Sequence, residues 1–142
     1  MDREFAPKFN LWIKKDISDI ATLPEGLKYP CMVSGDDIKF DECYSLNAIF
    51  IELEKRDVPI LEFTGLLDNE DVEIYDGDIL EHTRGIHFVF EQSELPWAGW
   101  EMVSNHKYYG NDINENGFAR REYKKIGNRY ENPELMEEST IP

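Results

Sequence analysis

The stretch from Phe63 to Leu80 constrains the fold more than any other part of the chain. It reads Phe-Thr-Gly-Leu-Leu, an acidic turn Asp68-Asn69-Glu70-Asp71, Val-Glu-Ile-Tyr, a second turn Asp76-Gly77-Asp78, then Ile-Leu. Apolar runs this short, cut by turn residues at this interval, suit β-strands and are too brief for helices. Gly65 has no Cβ and tolerates the positive φ of a turn or bulge. In the acidic turn, Asn69 is the residue best suited to a left-handed position. Asp76 and Asp78 flank Gly77, and short carboxylates placed this way bond nearby backbone amides. Strand alternation would set the two on one face, where adjacent carboxylates can also act as acid and base by pushing their pKa values apart. The structural role is the one expected.

The remaining segments extend the β pattern. Phe9, Trp12 and Ile13 among Lys8, Lys14 and Lys15 predict a first strand near Lys8–Lys14, with Pro7 ahead of it. Pro24, Gly26 and Pro30 punctuate residues 17–30 as a loop. Cys31–Ser34, Gly35–Asp37 and Ile38–Asp41 read as a hairpin. From Ser45 to Arg56, Leu46, Ile49, Phe50 and Leu53 have helical spacing, with Ser45 as N-cap and Val58-Pro59 as the stop. Ile49, Ile51 and Leu53 also alternate, so a strand stays open there. Ile60–Thr64 and Ile79–His82 follow as strands, and Ile86–Glu91 after the Thr83-Arg84-Gly85 turn is the most strand-like hexapeptide. Leu95–Val103 is a tryptophan-bearing loop or an interrupted strand, residues 104–117 a loop, and Phe118–Ile126 the last strand. Asn132-Pro133-Glu134 opens a short helix, before a frayed end.

These segments make one mainly β domain over residues 1–142, a small barrel or rolled antiparallel sheet with one or two short helices. Its length is enough to bury a core without cross-links. Phe63, Leu66, Ile74, Ile79, Phe88 and Phe90 are its expected core. No apolar run reaches the length of about 18 residues that a membrane helix needs, and the charged Met1–Phe5 argues for a cytoplasmic protein. Cys31 and Cys43 are read as free thiols, because disulfides seldom persist in that compartment.

Charge narrows the partners. The net charge is −15, which repels phosphate backbones and disfavours nucleic-acid binding. Residues 36–81 hold fifteen acids and three bases, whereas residues 117–130 hold Arg120, Arg121, Lys124, Lys125 and Arg129 against Glu122 alone. Solvated faces that partly complement each other within the fold are the expected outcome.

Catalytic and metal signals are weak. His82 and His87 could face each other across the Arg84-Gly85 turn, but neither His106 nor the cysteines supply a third ligand at a zinc-like spacing. Asp68, Glu70 and Glu73 lack the central Gly and the terminal Glu of a calcium loop, and read as a solvated turn. No nucleophile-elbow or phosphate-loop motif occurs. The expectation is therefore a non-enzyme with no cofactor and no metal. Trp97, Trp100, Tyr108 and Tyr109 are the binding candidates on residue type, since aromatic side chains dominate interface hot spots; the competing role is packing on the core.

The block Phe63–Leu80 resembles the signature of the YopX family of phage and prophage proteins, in which a Thr-Gly-Leu segment, a polar turn and an Ile-Tyr-acidic-Gly-Asp-Ile segment follow in order. Ile126–Met136, Ile-Gly-Asn-Arg-Tyr-Glu-Asn-Pro-Glu-Leu-Met, is similar to a second family element, and Phe9–Lys15 to a loose version of a third. Members usually carry Asn-Gly where this chain has Asp68–Asp71. The resemblance implies an SH3-like β-barrel, with a variable N-terminal part at 1–62, a barrel core at 63–130 and a short helix and tail at 131–142. It implies no shared biochemical activity. The leading expectation is a cytoplasmic protein-binding or assembly module in a bacterial host, with a protein partner and room for homo-oligomers. The alternatives are an acidic decoy for a host nucleic-acid-binding protein, and a weak nucleic-acid contact through the late basic segment.

Overall fold

A computed structural model describes residues 8–92, 100–105 and 120–137. The fold is mainly β, and the chain divides into two compact units, Met1–Glu62 and Phe63–Pro142.

The first unit contains β1 (Phe9–Ile13), β2 (Ala21–Thr22), β3 (Cys31–Ser34), β4 (Lys39–Phe40), the helix α1 (Leu46–Lys55) and the start of β5 (Ile60–Leu67). β1 lies between β3 and β5, antiparallel to both, with Leu11 opposite Val33 on one side and Ile60 on the other. This sheet curls into a half-barrel. Alternation sends Phe9, Leu11 and Ile13 to one face, where they share a cluster with Ile17, Ile20, Val33, Val58 and the α1 residues Ile49 and Leu53. The helix starts where Ser45 accepts a hydrogen bond from the Ala48 amide at 3.1 Å, a cap that contributes about 1 kcal/mol.

The hairpin expected from Cys31 to Asp41 does not form. Ser34 caps a 3-10 turn over Gly35–Asp37, and the redirected chain gives its two strands different partners. β3 pairs with β1, and β4 pairs with β2, inside the segment read as loop. Cys31 is half-buried and Cys43 exposed, both as free thiols.

The second unit contains the end of β5, β6 (Glu73–Tyr75), β7 (Asp78–His82), β8 (His87–Gln92), β9 (Trp100–Ser104) and β10 (Tyr123–Asn128). Four strands form an antiparallel sheet in the order β10-β7-β8-β9. Its core gathers Ile74, Leu80, Ile86, Phe88, Phe90, Met102 and Tyr123. Ile79 is also buried, but Phe63 and Leu66 are only half-buried. The reason is the irregular β5–β6 ladder, whose register shifts between Phe63 and Leu67 around Gly65 at φ 84°. Thr64 bridges the gap, its hydroxyl donating to the Ile74 carbonyl at 2.7 Å and accepting from the Leu66 amide.

The late segment departs from expectation in two places. Arg120–Glu122 form a 3-10 turn, so the last strand begins at Tyr123. It then runs through Gly127 with a bulge between Lys125 and Gly127. The final element is a 3-10 turn, Pro133–Met136, whose N-cap Asn132 makes no side-chain cap; its Oδ1 instead accepts from the Asn128 amide at 3.3 Å. Leu135 and Met136 are half-buried. The Leu135 carbonyl lies 2.6 Å from His87 Nδ1 and also accepts from Asn105. Truncation after Arg129 is expected to remove these bonds and the Leu135 packing, a loss of about 2 kcal/mol. That would lower the melting temperature by roughly 5–10 °C. An unchanged melting curve would show that the tail is dispensable to the fold.

Candidate functional site

Within the second unit, the acidic turn and the late basic strand meet in one seam. Asp68 is fully buried. Its carboxylate accepts from the amides of Glu70 at 2.8 Å, Val72 at 2.9 Å and Lys125 at 2.8 Å. Burial by itself would raise the Asp68 pKa; the three amides together outweigh it and hold the carboxyl below its ordinary value. The expected solvated turn is therefore corrected at this position. A glycine-free turn is possible because Asp71, not Asn69, takes the left-handed conformation at φ 63°. Arg120 pairs with Asp71 and donates to the Asp68 carbonyl, and Lys124 pairs with Glu70 at 3.3 Å.

The second turn is tied to the same strand. Asp78, almost completely buried, accepts from the Tyr75 amide at 2.7 Å and pairs with Lys125 at 2.9 Å. Burial pushes its pKa up to about 6, while Lys125 and the Tyr75 amide pull against the rise. Arg129 pairs with Glu91 at 2.8 Å and with Asp76 at 3.6 Å. Gly77, at φ 86°, donates to the Phe90 carbonyl and accepts from the Arg129 amide, and a Cβ there would come within 3.0 Å of the Tyr130 ring. A Cβ on Gly127 would run into the Asn132 carboxamide. Asn128 turns the chain after β10 by accepting from the Tyr130 and Glu131 amides. The two segments that carry the family resemblance thus form one interlocked scaffold.

The individual sequence candidates fall as follows. Trp97, Tyr108, Tyr109 and His106 lie outside the described residues. Trp100 sits on β9 opposite Gln92, half-buried against the core, with its ring 6.2 Å from that of Phe90. His82 and His87 diverge: His82 Nε2 lies 3.7 Å from a Glu122 oxygen and His87 Nε2 2.9 Å from a Glu81 oxygen. Among the described residues, no three metal-ligating side chains cluster. Nor is any helix there long and apolar enough to cross a membrane.

The feature that residue-type reasoning missed is in the first unit. With residues 46–55 helical, Ile49 and Leu53 turn inward and the outer side of the helix carries Ala48, Ile51 and Lys55; Tyr44, ahead of the Ser45 cap, lines the same groove as these three, and all four are exposed. Tyr44 is 52% and Ile51 47% exposed. Leu46, assigned to the apolar face by its spacing, is exposed at the first turn. Beside the stripe, Arg56 donates to both oxygens of Asp19, at 2.9 and 2.6 Å, and to Glu52 at 3.0 Å. A shallow groove with Ile20 and Ile49 in its lining runs along this face. Part of the signal was present in the sequence: the i, i+3, i+7 spacing of Ala48, Ile51 and Lys55 matches one helix face.

The fold and these sites define a mainly β scaffold stapled by two aspartate-bearing turns, with apolar side chains of α1 left exposed. The family model described as YopX protein matches residues 28–137, and the chain belongs to the YopX family. No curated protein matches it significantly. Among solved structures, it is similar to the crystal structure of protein EF1440 from Enterococcus faecalis, at 20% identity and a TM-score of 0.49, over 92% of this chain and 98% of that one.

Proposed function

We propose that this chain is a phage- or prophage-derived, cytoplasmic and non-enzymatic module that binds another protein through the outer face of α1. The observation that carries the reading is the exposed pair Ala48 and Ile51 on the outer face of α1 with Tyr44, just ahead of the helix, lining the same groove, because large apolar groups kept in water offer anchors for a partner. The carboxylates considered as an acid–base pair support it, since Asp78 is engaged by a backbone amide and Lys125, and Asp76 by Arg129. The decoy alternative requires open carboxylates at Asp68, Glu70, Asp71 and Glu73; the first is buried, and Glu70 and Asp71 are paired with basic side chains of the same unit. The nucleic-acid alternative has Arg120 and Lys124 engaged in those pairs, Lys125 with Asp78, and Arg129 with Glu91 and Asp76.

A photo-crosslinking side chain at position 51, in cells expressing the protein, is expected to give a discrete adduct with another protein. The adduct should vanish with Tyr44→Ala, while the melting temperature moves little, as befits an exposed position. Absence of any adduct through α1 would overturn the reading.

A further inference from the structure

We infer that the α1 face takes a basic amphipathic segment of a partner protein, one that presents apolar anchors flanked by Lys or Arg. This rests on the binding-module reading and adds the partner's chemistry. The apolar part of the face is Ala48 and Ile51 on the helix with Tyr44 just ahead of its cap. The electrostatic part is its surroundings: Asp41 and Glu42 precede the helix, Glu54 flanks it, and all three are exposed. The nearby Arg56 is spent, because Asp19 and Glu52 hold it on two sides and keep its pKa above the ordinary arginine value. Lys55 is then the cation left at the end of the stripe.

Charge also sorts the other occupants. A second copy of the chain would bring one body of net charge −15 against another, and a phosphate-rich surface, nucleic acid or anionic lipid, would be repelled in the same way. A basic segment gains from the field at long range and from apolar burial at contact. Its anchors would displace water from Tyr44 and Ile51, where hot-spot residues concentrate binding energy.

The test uses the full chain and two probes, a short amphipathic peptide built of Leu and Lys and its counterpart built of Leu and Glu, with binding read by fluorescence anisotropy. The Leu–Lys peptide is expected to bind and the Leu–Glu peptide not to. Ile51→Glu is the decisive variant, because it adds an acid while removing an apolar anchor. Non-specific charge attraction would be kept or strengthened by it, whereas docking on the stripe should weaken at least about tenfold. Lys55→Glu should tighten binding a few-fold, roughly in line with replacing one like charge by an opposite one. Binding of the basic peptide that survives Ile51→Glu would overturn the inference, as would equal binding of both peptides. So would a concentration-dependent dimer, seen by sedimentation, that Ile51→Glu abolishes. If the position-51 crosslink forms but the peptides are not discriminated, the partner class falls while the binding module stands; if neither is seen, both fall.

Discussion

Asp68→Ala is expected to destabilise the protein by about 4 kcal/mol, more than any other single change considered. Three backbone amides, of Glu70, Val72 and Lys125, donate to this one buried carboxylate, and each donor left unsatisfied costs about 1–3 kcal/mol. The substitution removes the acceptor for the acidic turn and the tie between that turn and β10 in one step. Asp68→Asn separates the two. Its remaining oxygen can still accept from Glu70 and Val72, but its amide group would face the Lys125 N–H, donor against donor. An intermediate loss of about 2 kcal/mol is expected for Asn, consistent with one lost bond and one buried mismatch. Urea midpoints for the two variants test the order, and an Asp68→Ala protein as stable as the parent would show that the seam is not what holds the second unit.

The second large effect is a pH dependence set by Asp78. Its pKa in the fold, about 6, lies above the ordinary 3.8, so its contribution to stability is fully present below about pH 4 and is lost as the pH rises through 6. At about 1.4 kcal/mol for each tenfold change in proton affinity, the loss amounts to about 3 kcal/mol. Asp68 has the opposite sign. Its depressed carboxyl contributes stability above the ordinary value of 3.8 and loses it only as the pH falls further, so the two windows are separate. Urea unfolding between pH 4.5 and 7 should show the parent losing stability relative to Asp78→Asn as pH rises. Parallel curves for the two proteins would mean that Asp78 does not titrate in this range.

The mainly β class was legible because apolar runs between Gly- and Asp-rich turns leave little choice of local structure. Ile74, Ile79, Phe88 and Phe90 were legible as core for the same reason. The helix over residues 46–55 was legible as one of two readings, and the choice between them had a consequence for function. In a strand, Ile49, Ile51 and Leu53 share one face and all would be buried together; in the helix, Ile51 leaves the other two and enters solvent. The four aromatic candidates rested on residue type alone, and Trp100, the one among the described residues, packs on the core.

By itself the sequence determined the turn positions, the strand-rich class, the Ser45 cap and the two segments that mark the family, because each depends on residues close together in the chain. Only the tertiary structure decided that Asp68 is buried, that β3 and β4 pair with other strands rather than each other, and which acid meets which base in the complementarity that the charge pattern led one to expect. Those outcomes depend on which distant groups share a site: an aspartate in a turn is solvated or buried according to whether three amides, one from Lys125, converge on it.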